Sequence, residues 1–176
     1  MPLTALTAFE SIYDRLLLLE KDKGKSFLII NSAGGVGSVA TQVGKNLGLK
    51  VIGTASRPET QAFTREYGAD IVLNHTQDLI PQLEANGYGA GVDFILVNYD
   101  PAPYWDTLMA AIKPQGKICL IVDSSALVDI KALKDKSVTL VSEMLATRVK
   151  YDTDDKIRRY VLLEEISKWL DEGKLK

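Results

Sequence analysis

The sequence has very little of the two residue types that most often bind transition metals, since Cys119 is its only cysteine and His75 its only histidine. A single cysteine cannot form an intramolecular disulfide, which is typical of proteins in the reducing cytoplasm. A four-ligand zinc site would need several carboxylates beside these two residues. No signal peptide is recognisable at the start of the sequence. We therefore expect a cytoplasmic location and no metal site in this chain.

Long apolar runs and an excess of one charge are missing as well. Runs such as residues 16–19 and 27–30 are only four residues long, which excludes a membrane span. The 21 basic and 23 acidic residues give a net charge of −2 without a basic stripe, so nucleic acid is not expected as a partner. With 46% hydrophobic residues, no flexible linker and 176 residues in all, the chain is expected to form one domain with a sizeable core.

Apolar, strand-like segments alternate with helix-like segments from end to end, which predicts a parallel sheet covered by helices on both faces. A capping box at residues 7–10 predicts the start of the first helix. Residues 113–116 are predicted to form a turn. Strands are predicted at residues 26–31, 50–55, 71–73, 92–97, 117–122 and 138–141. The pattern favours an α/β, doubly wound sheet of about six strands with two mononucleotide-binding halves.

A glycine-rich turn lies between the first predicted strand and the following helix. Its residues are Ser32, Ala33, Gly34, Gly35, Val36 and Gly37. Gly34 and Gly37 match the last two glycines of the G-x-G-x-x-G dinucleotide fingerprint, with Ser32 in the first position. Such a turn brings the backbone and the amino end of a helix close to a pyrophosphate. The motif predicts a dinucleotide site, while the alternative is a tight turn of purely structural use.

The end of the second predicted strand indicates which dinucleotide binds. An NAD site places a carboxylate about 20 residues beyond the fingerprint, to accept a hydrogen bond from the ribose 2′-hydroxyl. Ser56 and Arg57 lie there instead, and the first acid is Glu59. A hydroxyl and a guanidinium suit a 2′-phosphate, so these residues predict NADP(H). The alternative is a solvated loop with a chance arginine; the missing acid also counts against a methyltransferase.

Several other residues are weaker candidates. Asn98 ends the fourth strand and Val122 the fifth, and either could border a bound cofactor or lie in a plain loop. His75 is expected in a surface loop and Cys119 in the core. Arg148 could face the cofactor or form a structural ion pair, and the sequence does not decide between them.

Taken together, these segments resemble the cofactor-binding domain of the medium-chain dehydrogenase/reductase superfamily, in its zinc-type alcohol dehydrogenase-like and quinone oxidoreductase branch. The similar segments are residues 2–10 (PLTALTAFE), 30–38 (INSAGGVGS), 54–60 (TASRPET), 67–70 (YGAD), 113–119 (KPQGKIC) and 171–176 (DEGKLK). The resemblance implies a Rossmann-type domain over residues 1–176, excised from a parent with an amino-terminal GroES-like catalytic domain. It also implies that Asn98, Val122 and Met144 lie near the nicotinamide and its ribose.

The resemblance has further implications for activity and partners. The parent would be an NADPH-dependent oxidoreductase acting on a quinone, enone or carbonyl substrate, with the substrate groups supplied by the absent catalytic domain. A non-catalytic NADP-binding sensor or interaction domain is the alternative, because one fold serves many functions. The apolar run at residues 138–141 would form the edge of the sheet, and we expect a homodimer through this sixth strand.

Overall fold

Six parallel strands form one sheet in the computed structural model, which describes residues 2–176. The strands are β1 (Ser26–Ile30), β2 (Lys50–Thr54), β3 (Ile71–Leu73), β4 (Val92–Val97), β5 (Ile112–Leu120) and β6 (Thr139–Ser142). Their spatial order is β3-β2-β1-β4-β5-β6, and every neighbouring pair is parallel. The order reverses between β1 and β4, which is the arrangement of two mononucleotide-binding halves. The predicted doubly wound, Rossmann-type sheet is confirmed.

Eight α-helices accompany the strands in the described part of the chain. They are α1 (Pro2–Phe9), α2 (Gly35–Asn46), α3 (Pro58–Glu66), α4 (Leu79–Ala85), α5 (Trp105–Ala111), α6 (Lys131–Asp135), α7 (Thr147–Lys150) and α8 (Arg158–Asp171). None of the helices within residues 2–176 is long and apolar enough to cross a bilayer.

The core consists of two layers, one on each face of the sheet. Alternate residues of β1 point to opposite sides: Phe27 and Ile29 pack with α1, α2 and α8, whereas Leu28 and Ile30 pack with α4 and α5. All five residues of β1 are buried. A central strand of a parallel sheet is covered on both faces, which explains why its sequence is apolar throughout rather than alternating.

The amino-terminal helix differs from its prediction. It begins at Pro2, and Thr7 lies inside it, where its hydroxyl donates to the carbonyl oxygen of Leu3 at 3.0 Å. Thr7 therefore does not cap the helix. After α1 the chain continues as a six-residue π-helical segment, Glu10–Arg15, of which Glu10, Ser11 and Ile12 are buried.

The turn expected at residues 113–116 is also different, since these residues belong to β5. The pairing of β5 with β4 shifts between Val92 and Phe94, so that several residues of β5 bulge out, and Gln115 takes a positive φ of 62°. Residues 113–116, which the sequence predicted to form a turn, therefore form a bulge inside a strand.

Candidate functional site

The glycine turn lies at the carboxyl end of β1, where the strand order reverses. Asn31 leaves the strand with a φ of 58°, a left-handed conformation that asparagine tolerates better than most residues. Gly34 then precedes α2, which starts at Gly35. The first N–H groups of a helix have no partner within the helix and carry a partial positive charge. The turn therefore exposes the amino end of α2, which can bind an anion.

Gly37 is required by packing. A Cβ atom there would lie 2.6 Å from the carbonyl oxygen of Asn31 and 2.7 Å from both the Cα and the carbonyl oxygen of Ser32. At Gly34 the nearest atom would be 3.5 Å away, so this position is open. The two glycines thus differ: one lets α2 approach the strand, and the other leaves the backbone accessible.

Ser32, in the first position of the fingerprint, faces inward. Its hydroxyl donates to the carbonyl oxygen of Thr54 at 3.0 Å and lies 3.1 Å from the hydroxyl of Thr64. Its side chain therefore ties the turn to β2 and α3, and only about 1% of the residue is exposed. Ala33 and Val36 are half-buried and Gly35 is exposed, so the outer side of the turn consists of small and apolar groups.

Ser56 and Arg57 lie just beyond β2, one strand away from the glycine turn. Ser56 is half-buried and Arg57 exposed. The backbone N–H of Arg57 donates to Thr60 Oγ1 at 3.2 Å, and this Oγ1 donates back to the carbonyl oxygen of Arg57 at 2.9 Å, which fixes the start of α3. Across residues 2–176 no carboxylate forms an ion pair with the Arg57 guanidinium, so the group is available to an anion.

A cavity of about 280 Å³ opens between the ends of β1, β3 and β4. It is lined by Asn31, His75, Thr76, Tyr99 and Tyr104. His75 is half-buried here, with Nδ1 3.3 Å from Thr54 Oγ1, and burial lowers its pKa although the contact with Thr54 opposes this effect. His75, which was expected in a surface loop, therefore lines a cavity. Asn31 and His75 were not predicted as site residues, although Asn31 directly follows β1 and His75 lies two residues beyond β3.

Asn98 lies at the point where β4 meets β1. Its backbone N–H donates to the carbonyl oxygen of Ile30, and its own carbonyl oxygen accepts a long, 3.5 Å hydrogen bond from the side-chain amide of Asn31. Both polar atoms of the Asn98 side chain are buried without a hydrogen-bond partner among the described residues. Such unsatisfied groups are rare in folded proteins, and a ligand is one common reason for them.

A second, larger cavity of about 670 Å³ lies at the ends of β5 and β6. Its lining includes Val122, Met144, Thr7 and Asp123. Val122 and Met144 are 41% and 56% exposed, so both are accessible.

Four strand spacings of about 4.8 Å separate β2 from β6, so the candidate residues extend over about 19 Å along one edge of the sheet.

Arg148 does not lie in this cleft. It is 4% exposed and contacts Glu10, Asp14 and Asp155 at 2.8 to 2.9 Å. Of the two interpretations left open by the sequence, the structure therefore favours the ion pair. Its buried partner Glu10 was not predicted, because glutamate is rarely buried.

No metal-binding cluster accompanies the cleft. Among residues 2–176, no group of three or more histidine, cysteine, aspartate or glutamate side chains could hold a metal ion. Cys119 is buried in β5, within the core.

Comparisons with known proteins show what the chain is similar to. The family described as "Zinc-binding dehydrogenase" matches residues 35–156. A zinc-type alcohol dehydrogenase-like protein of Staphylococcus epidermidis is 43% identical over 176 residues, covering 98% of this chain and 52% of that protein. The structure of a putative zinc-dependent alcohol dehydrogenase from Rhizobium etli CFN 42 is 36% identical and has a TM-score of 0.92, covering 100% of this chain and 52% of that one.

A more distant structure shares the fold alone. It is the quinone oxidoreductase of Escherichia coli complexed with NADPH, with 23% identity and a TM-score of 0.82. The alignment covers 99% of this chain and 52% of that one. The chain thus spans about half the length of the curated relatives that it matches.

Proposed function

Because the chain belongs to the zinc-binding dehydrogenase family, within the medium-chain dehydrogenase/reductase superfamily, we propose that it binds NADP(H) as the cofactor domain of an oxidoreductase. The parent enzyme would transfer hydride between NADPH and a quinone, enone or carbonyl substrate. The observation that carries the proposal is the glycine turn at the strand-order reversal, with Gly37 allowing close packing and Gly34 leaving the backbone open.

The residues of the turn fit a pyrophosphate. Gly34, Gly35 and Gly37 would hold it with backbone N–H groups at the start of α2, where the helix dipole favours negative charge. Ser32, Ala33 and Val36 would contribute by shaping the turn. The space beside Gly34 supports this assignment, since a side chain there would point into the approach to the helix.

Ser56 and Arg57 would hold the 2′-phosphate of NADP(H). The unpaired guanidinium of Arg57 can donate two charge-assisted hydrogen bonds to a phosphate. No carboxylate occupies the position at which NAD sites accept from the ribose 2′-hydroxyl, and Glu59 lies beyond Pro58. These features favour NADPH over NADH.

Asn98, Val122 and Met144 would border the nicotinamide ribose and ring. The buried amide of Asn98 lacks a partner among residues 2–176, and a ribose hydroxyl would supply one. Val122 and Met144 would form an apolar wall that keeps water from one side of the ring. When bound, the nicotinamide supplies the hydride chemistry; the chain binds and orients it. The described residues do not fit the zinc that the family name implies, so no step here uses a metal ion.

Cofactor preference tests the proposal directly. A charge-assisted hydrogen bond contributes about 1.5–3 kcal/mol, so NADPH should bind about ten- to a hundredfold more tightly than NADH in titration calorimetry. Arg57→Ala should weaken NADPH and leave NADH nearly unchanged, whereas Ser56→Asp should narrow or reverse the preference. Arg65→Ala, which removes an exposed arginine from the same helix region, is the matched control. Equal affinities of the wild type for both cofactors would refute the 2′-phosphate site.

We propose that the groups that bind substrate belong to a second part of the protein, which corresponds to the half of each relative's length that this chain does not match. The purified chain should then bind NADPH but oxidise it with quinones no faster than buffer does, because nothing orients a substrate. Steady-state turnover at a rate typical of enzymes would contradict the proposal that the substrate-binding groups lie outside this chain. Binding with no turnover by a protein containing both halves would instead favour a non-catalytic NADP-binding sensor.

We also propose a homodimer through β6. This strand, Thr139–Ser142, lies at the edge of the sheet, next to β5. Strands at an edge carry unpaired backbone groups that favour pairing with a second copy. A monomeric mass in light scattering at micromolar concentration would count against it.

A further inference from the structure

A partly buried group of charged side chains connects the π-helical segment to the chain that follows β6. We call it the charged cluster: Glu10, Asp14, Arg15, Glu143, Arg148, Asp155 and Arg158. Glu143 also lines the larger cavity, and Met144 is the next residue. The charged cluster therefore lies directly behind the proposed nicotinamide end of the cleft.

Each arginine of the charged cluster already forms an ion pair with at least one carboxylate of the cluster. Nη2 and Nε of Arg148 lie 2.8 and 2.9 Å from oxygens of Asp14 and Asp155, and Nη1 is 2.8 Å from Glu10 Oε2 without hydrogen-bond geometry. Arg158 pairs with the other oxygen of Asp14. Arg15 donates to Glu143 Oε2.

Two carboxyl groups of the cluster, those of Glu10 and Glu143, contact each other in a buried place. Glu10 has no exposed surface and Glu143 is 4% exposed, whereas the side chain of Asp155 is 60% exposed and its charge is hydrated. Two ionised carboxylates in contact at such a buried place are strongly unfavourable, so one of the two should carry a proton.

Glu10 is the group that fits this proton. Both of its oxygens, and Oε1 of Glu143, are buried without a hydrogen-bond donor among the described residues. A protonated Glu10 would donate to Glu143, which satisfies an acceptor and removes the repulsion between the two carboxylates. Burial raises the pKa of Glu10 to about 7, its contact with Glu143 adds to this, and Arg148 opposes it.

The thiol of Cys119 faces Glu143 and Arg15 from the core side. Burial raises its pKa to about 12, so it stays neutral over the same range. Asp155 is held in its charged form by hydrogen bonds from Thr153 and Arg148, which lower its pKa. With its pKa raised to about 7, Glu10 changes its charge around neutral pH.

We propose that one proton, held between Glu10 and Glu143, keeps the chain after β6 in the position that cofactor binding requires, so that cofactor affinity falls when this proton is lost. The inference rests on the proposed function. The N–H of Glu143 donates to the carbonyl oxygen of Leu120 at 2.9 Å, which fixes the start of the Met144 segment against β5. Ionised Glu10 would repel Glu143 and strain this hydrogen bond, and Met144 would move with it.

Titration calorimetry with NADPH from pH 6 to pH 8.5 tests the coupling with Glu10→Gln, whose neutral amide imitates the protonated acid. The ratio of variant to wild-type affinity cancels the titration of the NADPH phosphate and of His75. We expect a ratio near one at pH 6 that rises to about tenfold at pH 8, since a single proton with a pKa of about 7 is involved. Glu164→Gln, the same change at an exposed position of α8, should stay near one throughout.

NMR of the wild type provides a second measurement that needs neither a variant nor a cofactor. One glutamate carboxyl should titrate near pH 7, and the methyl resonance of Met144 should shift with the same midpoint. A pH-independent affinity ratio, or a Met144 methyl that does not follow this titration, would overturn the proposal. Failure of the wild type to bind NADPH at any pH would instead refute the proposed function, and the proton would still be visible by NMR.

Discussion

Replacement of Gly37 by alanine should destabilise the domain, because the missing side chain lets α2 approach the turn after β1. The new Cβ atom would lie 2.6 to 2.7 Å from backbone atoms of Asn31 and Ser32. Carbon atoms in good contact are about 3.5–4.0 Å apart, so α2 would have to shift by most of an ångström. The atoms in the way are backbone atoms, which cannot rotate aside as a side chain can.

Overpacking of this kind costs about 1–3 kcal/mol, and we expect a net loss of about 2 kcal/mol once the better helix propensity of alanine is included. For a chain of this size, such a loss lowers Tm by about 4–8 °C. Differential scanning calorimetry of both proteins measures it. The loss should appear without any cofactor present.

Gly34→Ala is the matched control three residues earlier. Its new Cβ atom would lie 3.5 Å from the nearest atom, and the backbone, with φ −74° and ψ 169°, suits alanine. Alanine is a poorer helix cap than glycine, which destabilises the protein, but it also lowers the entropy of the unfolded chain, which stabilises it. These effects nearly cancel, so the free energy of unfolding should change by less than about 0.5 kcal/mol. Its NADPH affinity should nevertheless fall, because the methyl group obstructs the approach to the turn. Equal Tm values for Gly37→Ala and the wild type would refute the packing argument.

Three further predictions concern buried polar groups. Arg148→Ala should cost about 3–5 kcal/mol in urea unfolding, because it takes the guanidinium away from the buried Glu10 and leaves Asp14 with Arg158 alone, whereas Lys150→Ala on the same helix should have little effect. Asp93→Asn should cost about 1.5–3 kcal/mol at pH 7, because Asp93 accepts hydrogen bonds from the N–H and hydroxyl of Ser26. Burial raises the pKa of Asp93, but hydrogen bonds from Ser26 and Lys113 and the charge of Lys113 together outweigh it, so the net pKa is lowered. The stabilisation is therefore complete above pH 4 and is lost as the pH falls below it, so the two proteins should converge in acid. Burial raises the pKa of Cys119 to about 12, so a thiol reagent at pH 8 should react only after unfolding; rapid reaction of the native protein would contradict its placement in the core.

The sheet could be predicted because its signal is local and repeated. Buried parallel strands are apolar over their whole length, and Phe27 to Ile30 already show this in the sequence. The first helix was placed wrongly because the S/T-x-x-E pattern of a capping box at Thr7 also occurs inside helices. The bulge in β5 was read as a turn since proline and glycine mark both.

The cleft could be predicted only in part. Gly34 and Gly37 form a motif of fixed spacing, and the structure shows why each is glycine. His75 has no such motif, and its contact with Thr54, 21 residues away, depends on the pairing of β2 with β3. The roles of Ser56, Arg57 and Met144 in cofactor binding stay predictions.

The order of residues along the chain by itself determined the alternation of strands and helices and the position of the glycine turn, because both depend on neighbours within a few residues. The charged cluster was decided by tertiary structure alone. Arg15 meets Glu143 across 128 positions of sequence, and Glu10 meets Arg148 across a similar distance. Only the folded sheet brings these segments together. The burial that results, and the contact with Glu143, raise the pKa of Glu10, because the pKa of a carboxyl depends on its surroundings in space.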